Sequence, residues 1–199
     1  MKIIGLTGGS GSGKGMVGRL MCAFGCRVID TDGLYHDMIS SSGPCSRALI
    51  ERFGPEISTE NGGICRPRLA SIVFSDPAAL DDLNKIAHSF IREECQSIIE
   101  RERTAGTEVI IIDAPQLFEA DMQDICEVTV AVISDREKRI RRICKRDAIT
   151  RDKALARISA QHTDEFFSER CDYVIENNTD VARLLARVKI LLDEIKDKR

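Results

Sequence analysis

The sequence GGSGSGK at residues 8–14 directly follows the apolar run Ile3–Leu6. It fits the pattern G-x-x-x-x-G-K of a phosphate-binding loop. Glycines let the backbone pass close to phosphate oxygens, because no Cβ stands in the way. The backbone N–H groups then point into one concavity, and the positive end of the following helix adds to their attraction for anions. Strand, loop and helix occur in the order that the motif requires, so the sequence predicts a phosphate site here.

The loop ends at Lys14, and the two residues after it depart from the motif. Lys14 is expected to supply a full positive charge to the outer phosphates. The motif normally continues with Ser or Thr, whose hydroxyl binds Mg²⁺. Here Gly15 and Met16 follow instead, and neither side chain can ligate a hard cation. Phosphate binding should survive this change, whereas Mg²⁺ must rely more on water, phosphates and other side chains, or is bound more weakly.

Length and composition indicate an ordinary globular chain. It has 199 residues, of which 43% are hydrophobic and 31% charged, with a net charge of -3. This balance gives no overall attraction to nucleic acid or to a membrane, and no apolar run approaches the ~20 residues that span a bilayer. The eight cysteines form no C-x-x-C pair. We therefore expect reduced thiols and a cytoplasmic location.

Apolar runs alternate with helical patterns in a way that is typical of a parallel sheet between helices. Five strands are predicted, at Lys2–Thr7, Arg27–Asp30, Glu108–Asp113, Glu127–Ile133 and Asp172–Ile175. Residues 34–104 interrupt this alternation with mostly helical patterns, so they are predicted to form an insertion that binds a second substrate. The fold expected is an α/β P-loop core at residues 1–33 and 105–199, with a helical insertion at 34–104.

Carboxylates follow two of the predicted strands, at the edge where open α/β sheets bind ligands. Asp30 and Asp32 come after the second strand. Asp32 could accept a proton from an attacking hydroxyl or hold hydrated Mg²⁺, or it could cap a helix that starts near Leu34; position alone favours neither. Asp113 ends the third strand and fits the acidic residue that orients metal or water beside a phosphate loop.

A strongly basic segment follows the fourth strand. Seven cations fall within residues 136–146, and Arg139, Arg142 and Arg146 share one helical face. A solvated basic face or a nucleic-acid patch would show the same charges, but the chain is acidic overall and lacks interleaved aromatic residues here. Arginines that close over a triphosphate explain the segment better. With a second helix at about 151–161, residues 136–165 are predicted to form a lid that excludes water.

The chain resembles dephospho-CoA kinases along nearly its whole length. The resemblance rests on an ordered set of motifs, of which the loop is the most generic. They are GLTGGSGSGK at residues 5–14, VIDTD at 28–32, GICRPRLASIVF at 63–74, LNKIAH at 83–88, DAPQLFE at 113–119, RICKRD at 142–147, RISAQ at 157–161 and CDYVIEN at 171–177.

This resemblance implies ATP-dependent phosphorylation of the ribose 3′-hydroxyl of dephospho-CoA, the last step of coenzyme A synthesis, with Mg²⁺ bound to the phosphates. Asp32 is implied to be the general base, and Lys14 and Arg146 to stabilise charge on the phosphoryl group. Thr7, Arg66 and His88 are implied to line the acceptor site with Asp32; His88 is placed by its sequence pattern near a junction of two helices. The implied ATP-binding residues are Gly9, Gly11, Ser12, Gly13, Lys14, Gly15 and Met16.

Three positions depart from the family pattern. Gly15-Met16 replaces the usual Ser-Thr, Ser89 stands where Pro is usual, and Gln116 stands where Leu is usual. Only the first touches the chemistry. Two alternatives therefore stay open: a nucleotide-binding regulator that has lost catalysis, and another small-molecule kinase of the nucleoside-monophosphate type. The partners expected are ATP and dephospho-CoA alone, and no obligate protein partner is evident.

Overall fold

The structure is a computed structural model that describes residues 1–198. Its strands are β1 (Lys2–Thr7), β2 (Arg27–Asp30), β3 (Val109–Asp113), β4 (Val128–Ile133) and β5 (Tyr173–Glu176). Its helices are α1 (Lys14–Ala23), α2 (Thr31–Ser40), α3 (Pro44–Phe53), α4 (Arg66–Val73), α5 (Pro77–Thr104), α6 (Arg136–Asp147), α7 (Arg151–Ser159), α8 (Asp164–Arg170) and α9 (Val181–Asp197). Short 3₁₀ helices cover Pro55–Ile57 and Met122–Ile125. The chain divides into two compact units, one made of Met1–Ile29 with the chain from Glu102 onward, the other of Asp30–Arg101.

The sheet has the strand order β2-β3-β1-β4-β5. The pairings of β1 with β3, β1 with β4 and β4 with β5 are parallel, with Ile4 opposite Ile111 in the first and Gly5 opposite Thr129 in the second. Central strands of such sheets are covered on both faces, which explains why β3 is apolar from Val109 to Ile112 and is buried at every residue. The predicted five-stranded parallel sheet flanked by helices is confirmed.

The core of the first unit lies between the sheet, α1 and α9. Val17 and Met21 of α1 and Leu184 and Val188 of α9 are almost fully buried against Ile4 and other strand residues. These helix positions are three to four residues apart, the spacing that places side chains on one face. Because α1 is fixed by this packing, the loop that precedes it at the end of β1 is held at both ends.

The second unit is helical and has its own core. Ile39, Leu49, Phe53, Leu69 and Val73 are buried in one cluster contributed by α2, α3 and α4. Helix α5 starts as the sequence predicts: Asp76 caps it by accepting from Ala78 N at 2.9 Å, and Pro77 is its first residue. The predicted helix junction near His88 is wrong, because α5 is one continuous helix of 28 residues with His88 in its interior.

None of the helices within residues 1–198 is both long enough and apolar enough to cross a bilayer.

Candidate active site

The loop between β1 and α1 owes its shape to glycine. Gly11 and Gly13 have φ angles of 79° and 99°, which L residues with a Cβ rarely adopt. A Cβ on Gly11 would meet the backbone of Arg139 at 2.7 Å, and a Cβ on Gly13 would overlap the side chain of Asn177. The chain therefore turns tightly at these two positions and approaches its neighbours closely.

Helix α1 presents its first N–H groups beside this loop. Gly13, at its N-cap, makes no side-chain capping bond, while its carbonyl accepts from Met16 N and Val17 N at 2.9 and 3.2 Å. Within residues 1–198 the N–H groups of Lys14 and Gly15 have no acceptor. Free donors at a helix start, aided by the helix dipole, form an anion site.

The side chain of Lys14 lies at the carboxyl end of the sheet. Its Nζ forms an ion pair and hydrogen bond with Oδ1 of Asp113, the last residue of β3. The two side chains are only 16% and 12% exposed, so water screens this pair weakly. A cation and a carboxylate are thus held together next to the loop; in P-loop enzymes a lysine at this place contacts the phosphates and an aspartate holds the metal.

Arg142 and Asn177, which are distant from the loop in sequence, bind its carbonyl oxygens. Arg142 Nη1 donates to Gly11 O at 3.1 Å, to Ser12 O at 2.9 Å and to Ser134 Oγ at 3.2 Å. Asn177, which is buried, donates from Nδ2 to Ser12 O at 2.8 Å, and its own carbonyl accepts from Arg142 Nη2 at 3.0 Å. The carbonyl oxygens of Gly11 and Ser12 are therefore bound by side chains, while the N–H groups of Lys14 and Gly15 are left for an anion.

Arg139 holds the loop at a second point. It is 4% exposed, and its Nε donates to Ser10 O at 3.0 Å while its Nη1 pairs with Asp164 Oδ1 at 2.9 Å. The sequence predicts that the basic face of α6 closes over a triphosphate. In the structure Arg139 and Arg142 donate to carbonyl oxygens of the loop itself, so these two side chains support the loop, and closure of the basic face over a triphosphate stays a prediction.

Helices α6 and α7, which fall within the predicted lid, pack together as a hairpin; their action as a lid stays a prediction. Ile140, Ile143 and Ala154 form their shared buried cluster. At the end of α6, Arg146 makes a two-point hydrogen bond with Asp147 at 2.7 and 2.9 Å, and Arg157 of α7 binds the same carboxylate. The bond from Arg146, together with that from Arg157, lowers the pKa of Asp147 to about 2. Arg146 itself stays exposed on the hairpin.

Three of the four predicted substrate residues lie in the second unit. Asp32 is exposed in the first turn of α2, Arg66 is the exposed first residue of α4, and His88 is half-buried in α5. The alternative that Asp32 caps a helix near Leu34 is wrong. Helix α2 begins at Thr31 and its cap is Asp30, whose carboxylate accepts from Asp32 N and Gly33 N at 3.1 and 3.2 Å.

Comparison with known proteins identifies the family. A model of the family described as dephospho-CoA kinase matches residues 2–183. The chain belongs to the dephospho-CoA kinase family. A dephospho-CoA kinase of Streptococcus pneumoniae is 38% identical over 193 residues, which cover 96% of this chain and 95% of that protein. The predicted resemblance and the classification as a kinase are confirmed.

Solved structures with the same fold also match this chain. A crystal structure of the Thermus thermophilus protein TT1252 matches with a TM-score of 0.83 and 32% identity, covering 98% of this chain and 97% of that one. Dephospho-CoA kinase from Campylobacter jejuni matches with a TM-score of 0.72 at 20% identity, over 98% of each chain. The second likeness is too distant to show more than the shared fold of dephospho-CoA kinases.

The predicted loop residues of this dephospho-CoA kinase family member lie together, with differing exposure. Gly9 is buried, Gly15 is exposed, and Met16 is half-buried at the start of α1. Ser12 is 1% exposed, and its Oγ has no hydrogen-bond partner within residues 1–198. Thr7 is fully buried and donates to Pro115 O at 3.3 Å, so it holds the segment after β3; its predicted place in the acceptor site stays a prediction.

Sequence reasoning misses the residues that shape the loop from a distance. It groups Arg142 with the phosphate-binding arginines and gives Asn177 no role at all. A signal for Asn177 is present, because a polar residue follows directly on a buried strand at the ligand-binding edge of the sheet. No sequence signal shows that its amide reaches Ser12, 165 positions away.

Proposed function

We propose that this protein transfers the γ-phosphoryl group of ATP to the ribose 3′-hydroxyl of dephospho-CoA, giving CoA and ADP. Membership of the dephospho-CoA kinase family supports this reaction. The observation that carries it is the glycine loop, with Lys14 and the unpaired N–H groups of Lys14 and Gly15 at the start of α1. These groups would hold phosphate oxygens, which is most of what a phosphoryl-transfer enzyme must do.

The proposed chemical step is an in-line displacement. The 3′-hydroxyl oxygen bonds to the γ-phosphorus, the bond from that phosphorus to the β,γ-bridging oxygen breaks, and ADP leaves. The hydroxyl proton passes to the carboxylate of Asp32. Lys14 and Arg146 stabilise the charge on the transferred group, and residues 136–165 serve as the lid. Positioning and electrostatic stabilisation dominate such a step, since the protein does little covalent chemistry.

The substrates are assigned to the two units by their residues. Gly9 and Gly11–Met16 would bind ATP, and Arg66 and His88 would bind dephospho-CoA together with Thr7. The insertion at residues 34–104 is proposed to carry the acceptor site. Its support is family membership and an exposed Arg66, whose guanidinium can pair with phosphate or pyrophosphate oxygens.

Mg²⁺ fits this loop only as a metal shared with the nucleotide. Within residues 1–198, no three His, Cys, Asp or Glu side chains are grouped to hold a metal ion. Asp113 is the carboxylate beside the loop, and Gly15 and Met16 offer no side-chain oxygen. Mg²⁺ commonly keeps several waters and binds one or two carboxylates plus phosphates. Asp113 would hold it directly or through water, and it would neutralise phosphate charge.

The proposed reaction is tested by ADP release from purified protein. ADP formation that requires both ATP and dephospho-CoA supports the kinase assignment. Nucleotide binding without any turnover, across a Mg²⁺ titration, would favour the alternative of a regulator that has lost catalysis. The feature behind that alternative is Gly15, which replaces the hydroxyl residue of the motif.

Gly15→Ser is expected to lower the Mg²⁺ concentration for half-maximal activity severalfold. The new hydroxyl supplies the ligand that the motif normally provides, and it fits, because a Cβ on Gly15 meets only Arg19 Nη1 at 3.9 Å. The measurement is ADP release against Mg²⁺ concentration. Gly15→Ala is the matched control, with the Cβ but no hydroxyl. An equal shift in both variants would show that backbone stiffening, and not metal ligation, is responsible.

A further inference from the structure

Ser10, at the outer turn of the phosphate loop, has both of its backbone polar groups bound by distant side chains. Its N–H donates to Gln161 Oε1 at 2.8 Å. Its carbonyl accepts from Arg139 Nε at 3.0 Å. Because no other loop residue is held on both its donor and its acceptor by side chains within residues 1–198, these two bonds fix the peptide planes on either side of Ser10.

The two side chains that bind Ser10 differ in how they are held. Arg139 is 4% exposed and is fixed by its ion pair with Asp164, so it is part of the packed interior. Gln161 is exposed and lies after the end of α7, on the short connection to α8. It contributes no side chain to the buried clusters of the described chain. Its bond to Ser10 is therefore a local contact that can be removed without opening the core.

We propose that Gln161 is a positioning residue for ATP, which ties the end of the α6–α7 hairpin to the phosphate loop. This inference deepens the proposed function and rests on it. The N–H groups that would meet phosphate are those at the start of α1, and Ser10 precedes them in the same loop. When Gln161 Oε1 accepts from Ser10 N–H, the loop backbone keeps the conformation in which the N–H groups at the start of α1 are accessible to phosphate.

The charge and the placement of Gln161 favour this role over direct catalysis. Its amide is neutral, and its oxygen is occupied by a backbone donor of the loop. A neutral acceptor facing a loop N–H orients the loop without repelling a phosphate. Its loss should therefore weaken nucleotide binding and leave the acceptor substrate and the chemical step unaffected.

Gln161→Met tests the proposal, because it keeps the length of the side chain and deletes the acceptor. We expect the Kd for ADP and the KM for ATP to rise on the order of fivefold, the effect of one net hydrogen bond. The KM for dephospho-CoA and kcat should stay within twofold. Gln96→Met is the matched control, since Gln96 is an exposed glutamine on α5 in the other unit, and it should change none of these constants.

Three results would overturn the proposal: an unchanged Kd for ADP, tighter ADP binding, or a fall in melting temperature large enough to account for the loss. Tighter binding would mean that Gln161 competes with phosphate for the N–H of Ser10. ADP binding is measured by calorimetry without turnover, so it separates this inference from the proposed function. If Gln161→Met binds ADP more weakly and the wild-type protein does not phosphorylate dephospho-CoA, the role of Gln161 is upheld and the kinase assignment is wrong.

Discussion

Asp32→Asn is expected to lower kcat by about 10²–10⁴-fold, the usual contribution of a general base. The amide cannot accept the proton of the 3′-hydroxyl, whereas its size and shape match the carboxylate. The Kd for ADP should change less than twofold, because the nucleotide phosphates are assigned to the glycine loop. Turnover is measured as ADP release with saturating ATP and dephospho-CoA.

The fold should tolerate this substitution, because Asp30 and not Asp32 caps α2. Asp37→Asn is the matched control, since Asp37 is an exposed carboxylate on the same helix. It should retain wild-type turnover. Equal losses of turnover and of ADP affinity in Asp32→Asn would remove the assignment of Asp32 as the base.

Lys14→Met is expected to lower kcat/KM for ATP by about 10²–10³-fold, comparable with the loss of one preorganised donor to developing charge. The substitution removes the one full charge that the loop brings to the phosphates. The measurement is the steady-state rate against ATP concentration at fixed dephospho-CoA. Lys189→Met, at an exposed position on α9, is the control and should behave as wild type.

Lys14→Met also removes the ion pair that Lys14 makes with the mostly buried carboxylate of Asp113, which costs stability. The double variant Lys14→Met/Asp113→Asn removes that charge as well and should recover most of the lost melting temperature. Its activity should stay low. A wild-type kcat/KM for ATP in Lys14→Met itself, with only the melting temperature lowered, would show that Lys14 only stabilises the fold.

The sheet could be predicted from the sequence because its signals are local. An unbroken apolar run such as Val109–Ile112 predicts a buried strand, whatever the position of that strand in the sheet. The glycine loop marks both the end of β1 and the start of α1. The start of α2 was missed by three residues, because either of two nearby aspartates can act as a cap. The junction predicted near His88 was wrong although the sequence argues against it: Leu83, Ala87, Ile91 and Cys95 keep the four-residue spacing of one helix face through His88.

The site could be predicted only where its residues belong to one segment of chain. Lys14 and the loop glycines form such a segment, and their assignment rests on local geometry. The support for that geometry comes from Arg142 and Asn177, which lie 131 and 165 positions from loop residues that they bind. Hydrogen bonds of this kind depend on how strands and helices come together, and no pattern in one sequence records them.

The engagement of the loop by Arg142 and Asn177 has an energetic consequence. A flexible glycine-rich segment would lose conformational entropy each time it closed around a triphosphate, at about 1–2 kcal/mol per residue fixed. Here the carbonyls of Gly11 and Ser12 are already bound to the folded body. The loop is therefore ordered when the chain folds and not when the nucleotide binds. Substitution of Arg142 or Asn177 is expected to weaken nucleotide binding, although neither residue belongs to the loop.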